Sequence, residues 1–88
     1  MRIERGLIVK SIAGHDKNRF YLVVKIEGGR AFIVDGKRRK ICAPKPKNFL
    51  HIRATNKLVD VEKYKTDKSI RTLLHDYNYA GKNNVLES

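Results

Sequence analysis

The sequence predicts a small, mainly β domain: a five-stranded barrel followed by a short C-terminal α-helix. Three observations carry that expectation. From Ile3 to about Thr55 the apolar residues alternate or come in short β-branched blocks, which is the pattern of strands with one or both faces covered. Turn residues recur about every ten positions over the same stretch, the rhythm of a small antiparallel barrel or sandwich. After Asn56 the period changes, and Ile70, Leu73, Leu74 and Tyr77 stand at helical spacing. With 88 residues, 41% of them hydrophobic, the chain has room for one domain and one modest core, which excludes multi-domain mechanisms and makes a large buried active site unexpected.

The first strand is expected over residues 3–11, with Leu7-Ile8-Val9 as its buried part and Gly6 as a bend or bulge. Residues 13–19 read as a polar loop. The second strand runs from Phe20 to Glu27, where Phe20, Leu22, Val24 and Ile26 alternate with Tyr21, Val23 and Lys25. Gly28-Gly29 then supplies the positive φ angles of a tight hairpin. A third strand over residues 30–35 follows, and Asp35-Gly36 reads as a second hairpin leading into a fourth strand over residues 37–43 that stops at Pro44. A short fifth strand is expected over residues 49–54. Open edges of such a sheet would template aggregation, so closure into an SH3-like barrel is expected over residues 1–57.

Residues 58–88 form a C-terminal extension in this reading. Thr66 or Asp67 stands where an N-cap belongs, ahead of a helix over about residues 67–77 that packs its apolar stripe on the barrel. Gly81 lies beyond the helix end, and residues 82–88 read as a flexible tail.

Lys and Arg number 20 against 9 Asp and Glu, a formal charge of +11. That excess points to a polyanionic partner. It is concentrated: between Gly36 and Val59 there is no acidic residue, yet Lys37, Arg38, Arg39, Lys40, Lys45, Lys47, Arg53 and Lys57 all fall there, with His51 besides. Such a block repels itself unless it is merely solvated or an anion neutralises it, and phosphates are the commonest neutralising partner. The apolar runs are far too short for a membrane span, which needs about 20 residues, and neither membrane association nor a signal peptide is expected. A single cysteine, Cys42, allows no internal disulfide, in keeping with a reducing, cytoplasmic setting.

Tyr21 and Phe32 are opposite in phase to the apparent core residues of their strands, and Phe49 lies within the basic stretch. Stacking on unpaired bases is their functional reading; core or barrel-cap packing is the structural one. His15, His51 and His75 are scattered over loop, strand and helix, so no metal site is expected. Cys42, flanked by Ile41 and Ala43, reads as a small packed residue. With no phosphate-binding loop and no spaced carboxylate pair, neither catalysis nor a cofactor is expected.

The stretch Gly6-Leu7-Ile8-Val9-Lys10-Ser11-Ile12-Ala13-Gly14-His15-Asp16-Lys17, followed by Phe20-Tyr21-Leu22-Val23-Val24, resembles a KOW motif. Val34-Asp35-Gly36-Lys37-Arg38-Arg39, Pro44-Lys45-Pro46-Lys47, Thr55-Asn56 and Thr66-Asp67-Lys68-Ser69-Ile70-Arg71 extend the likeness to bacterial KOW-domain RNA-binding proteins, related to the fourteen-e class of large-subunit ribosomal proteins. The resemblance implies an SH3-like barrel that binds RNA, with Gly14 at the family's glycine position and His15, Lys17 and Arg19 on or beside the contacting loop. One departure stands out: Asn18 occupies a position where the family usually carries glycine, and asparagine tolerates the same left-handed geometry.

The resulting expectation is a monomeric, non-catalytic protein docking on ribosomal RNA or the ribosome. Its contacts would come from Gly14, His15, Lys17, Arg19, Lys37, Arg38, Arg39, Lys40, Lys45, Lys47, Arg53 and Lys57. Two other readings stay open. One is a protein-interaction module contacting RNA polymerase or ribosomal proteins through the helix stripe; the other is a nonspecific nucleic-acid binder.

Overall fold

In the computed structural model, which describes residues 2–79, five antiparallel strands form one sheet and a helix covers part of one face. The strands are β1 (Leu7–Ser11), β2 (Phe20–Glu27), β3 (Arg30–Val34), β4 (Lys45–Asn48) and β5 (Ile52–Leu58), in the order β4-β3-β2-β1-β5; the helix is α1 (Asp67–Asn78). The mainly β class, the second strand and the Gly28-Gly29 hairpin follow the expectation. Among the described residues no helix is long and apolar enough to cross a membrane.

The sheet is apolar on both faces, which explains why β1 and the start of β2 read as blocks. On one face Leu7, Val9, Tyr21, Val23, Ala31, Ile33, Ile52 and Ala54 pack together. On the other, Ile8, Phe20, Leu22 and Val34 meet Ile70 and Leu74 of α1. Successive strand residues point to opposite sides, so Leu7-Ile8-Val9 feeds both clusters. Tyr21 is therefore core, fully buried, while Phe32 is half-buried beneath the Lys25 ammonium.

Helix α1 starts where the capping chemistry places it. The Thr66 side chain accepts the Ser69 amide at 3.1 Å, and the Ser69 hydroxyl accepts the Thr66 amide at 3.3 Å, a reciprocal box that satisfies two otherwise free donors. At the other end Asn78 accepts the Phe20 amide at 2.8 Å and donates to its carbonyl at 3.3 Å, locking the helix to the first residue of β2. Ile70 and Leu74 point into the sheet, as an amphipathic stripe requires.

Several expected boundaries are corrected. The first strand begins at Leu7, not residue 3, after a left-handed Gly6. No strand forms over residues 37–43. Asp35-Gly36 opens a loop instead of a hairpin, because one Asp35 carboxylate oxygen takes the amides of Lys37, Arg38 and Arg39 at 2.8–2.9 Å, and local side-chain acceptors of this kind compete with a ladder. The place beside β3 goes to β4, where Pro46 pairs with Phe32; proline is tolerated because β4 is an edge strand. Residues 49–51 form a 3-10 turn and β5 continues to Leu58. The expected closure is not made by hydrogen bonds: β4 and β5 are the two edges of the sheet, joined by that turn. Cys42, expected to be packed, is exposed, a consequence of the missing strand. Gly81 and the 82–88 tail lie outside the described residues.

Candidate nucleic-acid interface

The resemblance-derived loop and the basic segment converge at one end of the sheet. Between β1 and β2, a 3-10 turn over Gly14–Asp16 leads into Asn18, whose φ of 73° is left-handed. Asparagine thus does what a glycine would do there. Gly14 has φ +79°, and the space its missing side chain leaves faces the Lys47 ammonium. His15 and Lys17 are exposed on the turn.

Asp16 is the anchor. It is buried, and its carboxylate lies 2.7 Å from Lys45 Nζ and 3.9 Å from Lys47 Nζ. Burial pushes its pKa up, but the Lys45 hydrogen bond, the neighbouring Tyr21 hydroxyl and the charges of Lys45 and Arg39 outweigh burial and hold it below the ordinary carboxylate value. Lys47, only 7% exposed, donates to the Ala13 carbonyl at 3.1 Å; burial, then Lys45 and Arg39, lower its pKa. Tyr21 sits beneath this cluster, its buried hydroxyl without a hydrogen-bond partner among the described residues, and burial followed by the Asp16 charge pushes it up to about 12.

The second half of the surface is the loop after β3. Its three amides converge on Asp35, the Arg39 carbonyl accepts the Asp35 and Gly36 amides, and α1 clamps it from outside. Arg71 Nη1 donates to the Gly36 carbonyl at 2.7 Å, and Asp67 accepts the Ile41 amide at 2.9 Å. Gly36 is tied to this clamp: at φ +78°, any Cβ would run into the Asp67 carbonyl oxygen. Lys37, Arg38 and Lys40 are left exposed, whereas Arg39 is half-buried with its Nε unpartnered.

Of the twelve expected contacts, Gly14, His15, Lys17, Lys37, Arg38 and Lys40 are exposed at or next to this end. Lys45 and Lys47 are turned inward to Asp16, and Arg19 is half-buried, its guanidinium 3.8 Å from Asp35 and 5.6 Å from the Tyr79 ring. Arg53 and Lys57 are exposed on β5, where Arg53 pairs across the ladder with Lys10. Sequence reasoning missed Asp16 and Asp35 as internal anchors, and Arg71 and Tyr79 as neighbours of the loop. The signal for Asp16 and Asp35 was two acids set among basic residues; the loop's dependence on Arg71 had no local signal.

Among the described residues no three His, Cys, Asp or Glu side chains are grouped as a metal ion would need. No protein-family model matches this chain, and no curated protein matches it.

Proposed function

We propose that this protein is a non-catalytic, cytoplasmic RNA-binding domain of the KOW type that docks on ribosomal RNA or the ribosome. The observation that carries this reading is the meeting of the Gly14 turn with the basic segment: Lys47 and Lys45, about 30 residues downstream, fasten that turn through Ala13 and Asp16. Exposed Lys17, Lys37, Arg38 and Lys40 then lie around a fixed frame. Preorganised cations release counterions on binding without first ordering the chain. Protein docking through the α1 stripe has less support, since Ile70 and Leu74 are buried against the sheet of the same chain.

The test is sedimentation of tagged protein from a lysate, with and without RNase, at about 0.1 and 0.5 M salt. Co-migration with ribosomes or their precursors that RNase and high salt abolish supports the reading. Migration with RNA polymerase regardless of RNase, or as a small free species, refutes it.

A further inference from the structure

Between the loop after β3 and α1 lies a cavity of about 1030 Å³. Its walls carry the cations Arg19, Lys37, Lys40 and Arg71, with the Tyr79 ring at one side. The cations outnumber the acids there: Asp76 is exposed, and one oxygen of Asp35 is already taken by three amides. Arg19 and then Lys37, whose Nζ is 3.4 Å from the Tyr79 hydroxyl, hold that hydroxyl below its ordinary pKa.

Among the described residues, two buried polar atoms here lack hydrogen-bond partners: Arg19 Nε, a donor, and the second Asp35 oxygen, an acceptor that the Arg19 guanidinium approaches only to 3.8 Å. The Asp35 side chain is 1% exposed. Buried groups of this kind are normally paired, so this donor and acceptor, uncovered when the Arg19 guanidinium swings off Asp35, suit a ligand edge that carries both. The edge of a nucleobase does. The cavity is also larger than a lone phosphate requires and reaches the size of small-molecule sites, about 300–1000 Å³. Its loop wall is held in place, because Arg71 and Asp67 pin the loop to α1.

Resting on the RNA reading above, we infer that this cavity receives one unpaired nucleotide of the bound RNA, its phosphate on Lys37, Lys40 and Arg71 and its base beside Tyr79 and Arg19. Entry of the base requires the Arg19 guanidinium to shift from its 3.8 Å approach to Asp35. That contact is longer than a hydrogen bond. An acidic peptide would answer the cations, and its backbone also carries a donor and an acceptor, but it brings no flat face to lie against the Tyr79 ring. Helix α1 is then one wall of the interface as well as a clamp.

The test is amide NMR of the full chain titrated with the 5′-nucleoside monophosphates, the matching nucleosides, inorganic phosphate and a polyglutamate peptide. At least one nucleotide is expected to shift the amides of Gly36–Lys40 and Thr72–Tyr79, binding about tenfold more tightly than phosphate or nucleoside alone. Thr72→Glu, which puts a negative charge on the exposed cavity wall, and Lys40→Ala should each abolish the shifts. Lys68→Gln, the same charge change on an exposed part of α1 outside the cavity, should leave them. Equal binding of phosphate or polyglutamate, shifts elsewhere, or insensitivity to Thr72→Glu overturns the inference. A parallel assay compares duplex RNA with and without one bulged nucleotide. Equal binding of both with no nucleotide shifts defeats the cavity assignment and leaves the RNA reading standing; nucleotide shifts with no RNA binding do the reverse.

Discussion

Lys47 Nζ donates to the Ala13 carbonyl at 3.1 Å, so a lysine of the edge strand β4 holds the turn that carries Gly14. The bond crosses 34 residues of sequence. It converts a cation that composition counts toward an RNA surface into a structural brace, and under the proposed RNA-binding function it separates charges that would neutralise phosphate from charges that position them.

The proposed function makes that separation measurable in the salt dependence of binding to RNA. Lys37→Ala, Arg38→Ala and Lys40→Ala should each lower the slope of log K against log salt by about 1. Lys47→Met should weaken binding by loosening the turn while leaving the slope unchanged. Anisotropy titrations across a salt series distinguish the two behaviours, and a slope change for Lys47→Met equal to the others would show that its charge meets phosphate.

Asp16→Asn should destabilise the domain by about 1–3 kcal/mol at neutral pH, because it leaves Lys45 and the buried Lys47 without their carboxylate. The folded pKa of Asp16 lies below the unfolded 3.8. Its contribution is therefore complete above pH 3.8 and is lost as pH falls through the folded value. Urea denaturation of both proteins over a pH series should show their difference narrowing only in acid.

Gly36→Ala combines left-handed strain with a collision against the Asp67 carbonyl and the Arg71 backbone. Gly28→Ala carries the strain alone, since nothing lies within 4 Å of its Cβ position. The first should cost about 2 kcal/mol more than the second, a further fall in Tm of roughly 8–16 °C for a domain of this size. Equal melting temperatures would mean that the loop does not rest on α1.

Spectrophotometric titration of the tyrosines should show one phenol ionising below its usual value and one near 12. Tyr79→Phe should remove the first and Tyr21→Phe the second. Because the folded pKa of Tyr21 is raised, its contribution to stability is present below the unfolded value of 10 and is lost as pH rises toward about 12. Tyr21→Phe should therefore flatten the alkaline loss of stability.

Much of the architecture was readable along the chain because its causes are local. Alternation and the glycine pair defined β2 and its hairpin; Thr66 and the helical spacing of Ile70, Leu74 and Tyr77 defined α1. The 37–43 strand was lost to a local acceptor, Asp35, and the faces of β2 were misread because a distant partner decided them. The apolar phase of β2 that looked like the barrel core, Phe20 and Leu22, is the face covered by α1, and Tyr21 and Val23 are inside. Either face of a strand with apolar residues on both sides could have been the interior, and period two cannot choose between them.

The sequence by itself determined the mainly β class, the C-terminal helix and the excess of positive charge, since hydrophobic period, capping residues and composition act over a few positions. Only the tertiary structure decided which cations face solvent. Asp35 withdrew the 37–40 segment from the sheet, Pro46 took the edge, and Asp16 drew Lys45 and Lys47 inward. Asp35 acts within four residues of itself, but the loop it shapes is held by Arg71, and Lys45 and Lys47 by Asp16 and Ala13, across about 30 or more residues. The low dielectric of the interior makes such distant pairings decisive over local preference.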